Sequence, residues 1–201
     1  MTNDLKNTRN RVTSHVVRFM RDESGTTAVE FAMIALPFFS MVFGIIASGL
    51  LFFVVSSVER GVWDGSRDLR TGLLQNGGGQ YNGLNPSQLK AKFKEHVCNR
   101  MPAMIKADCG SNMRVIVQSY GNASSISAPS CTQTAPDGTT SMPPDTGTQF
   151  NAGDQNEVVM VTGCYEWTYA KMLPIFQISN RLSNGSYVVQ GSATFVTEPF
   201  K

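Results

Sequence analysis

Ser24-Gly25-Thr26-Thr27-Ala28-Val29-Glu30-Phe31 opens a stretch that stays apolar as far as Val58. From Phe31 to Ser57 no residue is charged, about 27 positions, and at ~1.5 Å of rise per residue a helix of that length reaches ~40 Å. The hydrocarbon core of a bilayer is ~30 Å thick, so the stretch is long enough to cross it. A soluble domain could hide such a segment only by enclosing it, and the rest of the chain lacks comparable apolar helices. The sequence therefore predicts one transmembrane helix. A cleaved secretory signal is the alternative, but its apolar region is typically ~7–15 residues and ends at small residues of A-x-A type. Val54-Val55-Ser56-Ser57-Val58 offers no such exit.

The flanks set a direction. Lys6, Arg9, Arg11, Arg18 and Arg21 precede the helix, against Asp4, Asp22 and Glu23, and cytoplasmic flanks are the ones rich in Lys and Arg. Residues 1–25 are expected to stay cytoplasmic, with the C-terminal part on the other side. Glu30 stands out at the start of the apolar run, five residues after Gly25. It reads either as a first-turn carboxylate favoured by the helix dipole or as a residue with a task.

Gly25-Thr-Thr-Ala-Val-Glu30-Phe31, with basic residues before it and an apolar helix after it, resembles the prepilin-peptidase site of type IV pilin-like proteins. Ala28-Val29-Glu30-Phe31-Ala32-Met33-Ile34-Ala35-Leu36-Pro37 is similar to the opening of TadE-like and TadF-like pseudopilins of the tight-adherence (Flp) pilus system. Thr197-Glu198-Pro199-Phe200 near the chain end is a weaker match to the same pattern. The resemblance implies cleavage between Gly25 and Thr26, which makes Glu30 the fifth mature residue and removes residues 1–25 as a leader. It also implies that Glu30 pairs with the N-terminal amine of a neighbouring subunit, and that Glu30, Phe31 and Pro37 belong to the helix-packing and assembly surface. The partners implied are a prepilin peptidase, other pilin-like subunits and the pilus assembly machinery. The location implied is a bacterial inner membrane, with the C-terminal part periplasmic or incorporated in a pilus. No cofactor is expected.

Residues 1–25 carry five basic and three acidic groups and the remainder twelve of each. The C-terminal part is thus neutral, without the clustered basic face of a nucleic-acid binder. Four cysteines, Cys98, Cys109, Cys131 and Cys164, all follow the helix. An even count in an oxidising compartment favours disulfides. Of three possible pairings, Cys98–Cys109 with Cys131–Cys164 is preferred because the first two lie close along the chain. A zinc site is the alternative, but no C-x₂₋₄-C spacing occurs.

Within the membrane segment Pro37 removes a backbone donor and is expected to bend or locally open the helix. Gly44, Ala47, Ser48 and Gly49 make a surface suited to close helix approach. Past the membrane, Val58, Val62, Leu69 and Leu73 share a stripe, with Arg60, Asp64, Arg67, Asp68 and Arg70 on the wet side. A helical stalk to about residue 75 is expected, with Trp63 either at the interface belt or in the core. Asn85, Pro86 and Gln88 signal a second helix whose apolar face is Leu89, Phe93, Val97 and Met101 and whose solvent face is Lys90, Lys92, Lys94 and Glu95. Strands are predicted at Met113–Tyr120, Glu157–Trp167 and Tyr187–Thr197, the middle one central because Val158-Val159-Met160-Val161 is apolar on both faces. Residues 121–156, rich in Gly, Ser, Thr and Pro, are predicted to be a long loop with at most a minor hairpin. Met172-Leu173-Pro174-Ile175-Phe176 reads as a compact apolar connection. The expected class is α+β: a long N-terminal transmembrane and stalk helix over 26–75, then a domain over 76–201 with a second helix and an antiparallel sheet of three to four strands.

No catalytic constellation is present. His15 and His96 are isolated, and no nucleophile elbow, P-loop or metal-binding helix occurs. Asp137, Asp145 and Asp154 lack the spacing of a calcium loop. Two functions from different classes remain. One is a processed minor pseudopilin in pilus assembly. The other is an uncleaved single-pass membrane protein whose outer domain binds a ligand or partner.

Overall fold

A computed structural model describes residues 25–145, 150–172 and 181–199. Residues 1–24, which hold all but the last residue of the expected leader, most of the apolar connection at Leu173–Phe176, and Phe200 lie outside the described residues. The chain divides into two compact units, Met1–Ile46 and Ala47–Lys201.

Helix α1 spans Thr26–Arg70, 45 residues, about 68 Å at the α-helical rise. In the first unit its side chains are almost all exposed, Phe31 at 69 % and Leu36 at 74 % among them. Only 11 % of its most apolar window is buried. It is therefore a candidate membrane span rather than the core helix of a soluble protein.

In the second unit Val54, Val58, Val62 and Leu69 of α1 are buried in the core. The helix stops at Arg70, short of the expected residue 75. Gly72 takes a left-handed φ of 72° just beyond, a conformation that ends helices. The register of the stripe changes there, so Leu74 is buried and Leu73 is 40 % exposed. Asp68 corrects a second expectation: it turns inward and accepts a hydrogen bond from the buried Tyr81 hydroxyl at 2.8 Å. Burial and then this bond push the Tyr81 hydroxyl far above its ordinary pKa, so it remains a donor.

Helix α2 spans Pro86–Asn99. Its start is a reciprocal capping box, Gln88 N–H to Asn85 Oδ1 at 2.9 Å and Asn85 N–H to Gln88 Oε1 at 3.0 Å. Phe93, Val97 and Met101 are buried as the periodicity predicts. Lys90 departs from it, being 6 % exposed, because its ammonium meets Asp145 Oδ1 at 2.6 Å. Helix α3, Ala103–Asn112, follows Pro102 directly.

Strands β1 (Met113–Tyr120), β4 (Val158–Trp167) and β5 (Tyr187–Val196) form an antiparallel sheet in the order β1-β4-β5. The apolar strand β4 is central, as expected. The two-residue strands β2 (Gln133–Thr134) and β3 (Thr140–Ser141) form a small hairpin inside the long loop. Side-chain parity sorts the two faces of the main sheet. Odd positions, Val115, Val117, Val159, Val161, Val189 and Ala193, join the core with α1 and α2. Even positions, Ile116, Cys164 and Val188, join a second cluster with Cys131, Leu182 and Met142. The part of the long loop around Cys131 and Met142 thus covers the face opposite the helices, while Phe150 and Ala152 pack against the helix-side core.

Cys98–Cys109 and Cys131–Cys164 are bonded. The first joins α2 to α3. The second fastens the loop to β4 across 33 residues, a closure of about 3–4 kcal/mol in the chain-entropy picture. Cys131→Ser is expected to speed amide hydrogen exchange across residues 126–142 while exchange in β4 stays slow. Equal acceleration in both would show that the bond supports the sheet instead of the loop.

Candidate functional site

Apart from the four cysteines, the residues singled out in the sequence lie at the start of α1, from Gly25 just before it to Pro37, its twelfth residue. Gly25 directly precedes the helix and is exposed. Among the described residues a Cβ built on it meets nothing within 4 Å, so their packing gives no reason for a glycine here.

Helix α1 begins at Thr26, which makes Glu30 its fifth residue; the first turn holds no acidic residue. This corrects the first-turn placement. A dipole contribution falls off within that turn, so it does little to explain the carboxylate. Glu30 is exposed and has no hydrogen bond or ion pair among the described residues. Its neighbours Val29, Phe31, Met33 and Ile34 are all 60 % exposed or more, so a single anionic group sits on an apolar surface.

Ala28, Val29, Ala32, Met33, Leu36 and Pro37 line a shallow apolar hollow of about 550 Å³. The helix runs unbroken through Pro37, although the ring leaves the Met33 carbonyl without its usual donor. The Ser40 hydroxyl donates to the Pro37 carbonyl at 2.8 Å. Cβ atoms on Gly44 and Gly49 would meet nothing within 4 Å among the described residues.

The C-terminal part holds no comparable chemistry among the described residues. No group of three or more His, Cys, Asp or Glu could hold a metal there. Asp137 is engaged by Thr139 and Asp145 by Lys90 and Lys94. Burial alone would raise the Asp145 carboxyl, but the Lys90 hydrogen bond and the Lys94 ammonium outweigh it and hold the group below the usual carboxylate range. His96, read as isolated in the sequence, is largely shielded from solvent and has neighbours. Its Nδ1 accepts from the Gln80 amide at 3.2 Å, and its Nε2 lies 3.6 Å from Asp68 Oδ2.

Residues 25–67 match the family model of TadE-like protein. The N-terminal segment is TadE-like. The match opens on Gly25, runs through Glu30 and Pro37, and stops three residues before the end of α1. No curated protein matches the chain, and no solved structure does. The TadE-like segment is thus the helix, with Gly25 at its threshold, and the α+β region that follows lies outside the match.

Proposed function

We propose that the chain is a minor pseudopilin that takes part in assembly of a tight-adherence pilus. A prepilin peptidase removes residues 1–25, and the mature subunit joins other pilin-like subunits through the N-terminal half of α1. The observation that carries this reading is Glu30, an exposed carboxylate with no partner among the described residues, on an apolar helix that matches the TadE-like model, five residues after a glycine that no described residue packs against.

Cleavage after Gly25 gives Thr26 an α-amino group, with a reference pKa of about 8 and mostly charged at neutral pH. A carboxylate facing hydrocarbon costs up to about 2.5–3.5 kcal/mol at the bilayer centre and less near its edge. Packing among apolar helices removes the remaining water, so Glu30 then needs a cation. The amine of a neighbouring subunit supplies one, and a charge-assisted hydrogen bond in a dry site is a strong one. Two disulfides support an oxidising compartment for the α+β domain. The basic leader supports a cytoplasmic N-terminus in a bacterial inner membrane. The role is structural and needs no cofactor.

Co-expression with a prepilin peptidase is expected to shorten the wild-type chain by its leader. Gly25→Val is expected to block that shortening and leave the protein in the membrane fraction, because a branched side chain obstructs a protease cleft that a glycine backbone enters freely. Equal shortening of the variant would place cleavage elsewhere.

A further inference from the structure

We propose that the end of the α+β domain nearest the apolar part of α1 is a second membrane contact. There the 3-10 turn Thr168–Met172 and the start of α3 rest on the surface of an anionic phospholipid bilayer. Two ties fix how far along α1 the sheet reaches. The Glu198 N–H donates to the Arg70 carbonyl at 2.9 Å, and a Cβ on Gly191 would stand 3.0 Å from the Glu59 Cα. Strand β5 therefore runs antiparallel to α1. Seven strand positions separate the ties and match eleven helix positions, so the four from Gly191 back to Tyr187 reach about residue 53 of α1. Trp167 pairs with Tyr187, and the turn follows directly. Val54 shares a buried cluster with Trp167 and Ala170. Helix α2 also runs antiparallel to α1, Val97 approaching Gly65 and Met101 approaching Gly61. Pro102, just before α3, lines a hollow with Phe53 and Ser57. The uncharged run ends at Ser57, so the turn and the start of α3 stand level with its last residues. Ala47, ten positions before Ser57, still belongs to the domain's unit and is 2 % exposed.

The proposal rests on the reading of α1 as a membrane span, and not on removal of the leader. With Glu30 at the inner edge of the hydrocarbon, ~30 Å at ~1.5 Å per residue ends near residue 50. Residues 51–57 then lie in the outer headgroup layer, and the turn with them. The side chains suit that layer. Met104, Tyr169 and Met172 are 59 %, 55 % and 80 % exposed. Arg100, Lys171 and Arg181 are exposed as well, and none of the three makes an ion pair among the described residues. Lys171 and Arg181 flank one bend, because a Cβ on Gly185 would lie 3.3 Å from Arg181 Nη2 and 3.7 Å from Lys171 Cγ. Glu166, before the turn, is taken up by Asn184 Nδ2 at 2.8 Å and Ser186 Oγ at 2.6 Å, and on α1 Glu59 and Arg60 cancel in sign. Interfacial segments combine exposed apolar side chains with cations in this way: the apolar groups enter the acyl boundary and the cations meet lipid phosphates. Tyr169 fits the same layer, with an apolar ring and a wet hydroxyl.

All four native cysteines are disulfide-bonded, so one introduced cysteine takes an environment-sensitive fluorophore alone. Full-length protein labelled at Met172→Cys, in vesicles of phosphatidylethanolamine and phosphatidylglycerol, is expected to shift its emission to the blue and lose most of it to nitroxide-bearing lipids. Phe39→Cys, inside the apolar run, is expected to lose its emission too. Ala123→Cys, exposed past the far end of β1, is expected to keep it. Lys171→Glu with Arg181→Glu, added to Met172→Cys, is expected to cut the quenching by about half or more, because attraction of cations to anionic lipid is removed and reversed. The proposal is overturned if Met172→Cys is quenched no more than Ala123→Cys while Phe39→Cys is quenched. It is overturned too if the double charge reversal leaves the quenching unchanged. Absence of quenching at Phe39→Cys would sink the span reading and this contact with it, whereas retention of Met1 in cells sinks the processing reading alone.

Discussion

Glu30→Ala is expected to abolish piliation while membrane insertion and cleavage after Gly25 proceed normally. Insertion should not suffer, because the substitution removes the single charge on the apolar face and makes transfer to hydrocarbon easier. Cleavage should not suffer, because Gly25 and Thr26 are untouched. Loss is confined to the step at which helices pack without water. Removing one partner there strands the other, and breaking a buried ion pair typically costs about 3–5 kcal/mol. That corresponds to more than a hundredfold in an assembly equilibrium. Glu30→Gln keeps the shape and a hydrogen-bond acceptor but not the charge, so it should fail nearly as badly. Electron microscopy and a surface-adherence assay in a strain whose only copy carries the substitution would check this. Wild-type piliation by Glu30→Ala cells would remove the pairing role.

The second large effect concerns the seat of α1 on the sheet. Gly163 of β4 and Gly191 of β5 are directly paired on the face that receives α1. A Cβ on Gly191 would stand 3.0 Å from both the Glu59 Cα and the Glu59 nitrogen, and 3.2 Å from the Val58 carbonyl carbon. These are backbone atoms of a helix also packed against α2 through Gly61 and Gly65, where added Cβ atoms would meet Met101 and Val97. The helix therefore has no room to retreat. At Gly163 the contacts would be the side-chain ends of Met113 and Val62, and Met113 can turn aside. Strand propensity would favour Val over Gly at either position by up to about 1 kcal/mol. Overpacking of about 1–3 kcal/mol outweighs it where the obstacle is backbone. Gly191→Val is thus expected, at a net cost of about 1–2 kcal/mol, to lower the melting temperature of the full-length protein in detergent by about 2–8 °C. A Gly191→Val protein melting at the wild-type temperature would contradict this packing.

Most of the fold could be read from local pattern. The apolar run, the Asn85–Gln88 cap and the alternation in β1, β4 and β5 each rest on residues close together in the chain, where period and capping chemistry act. The departures come from contacts between distant residues. Lys90 looks like a solvent-facing lysine until Asp145, 55 positions later, neutralises it. Asp68 reads as a wet-side residue until the Tyr81 hydroxyl, 13 positions later, donates to its carboxylate. Helix α3 gave little local signal: its Asp, Gly, Ser and Asn residues are poor helix formers, and only Ile105 and Cys109 are buried. The paired glycines of β4 and β5 read in isolation as weak strand positions, and only their approach to α1 gives them a purpose. At the N-terminus the opposite holds. Gly25, Glu30 and Pro37 were legible from the sequence because their proposed roles lie outside the chain, in a protease and in neighbouring helices.

In the proposed function the mature protein begins at Thr26 and carries Glu30 as its fifth residue into assembly. N-terminal sequencing of the protein isolated from piliated cells is then expected to read Thr26-Thr27-Ala28-Val29-Glu30, with the uncut chain accumulating when the prepilin peptidase is deleted. An N-terminus at Met1 in peptidase-containing cells would contradict it and leave an uncleaved membrane protein with a partner-binding outer domain.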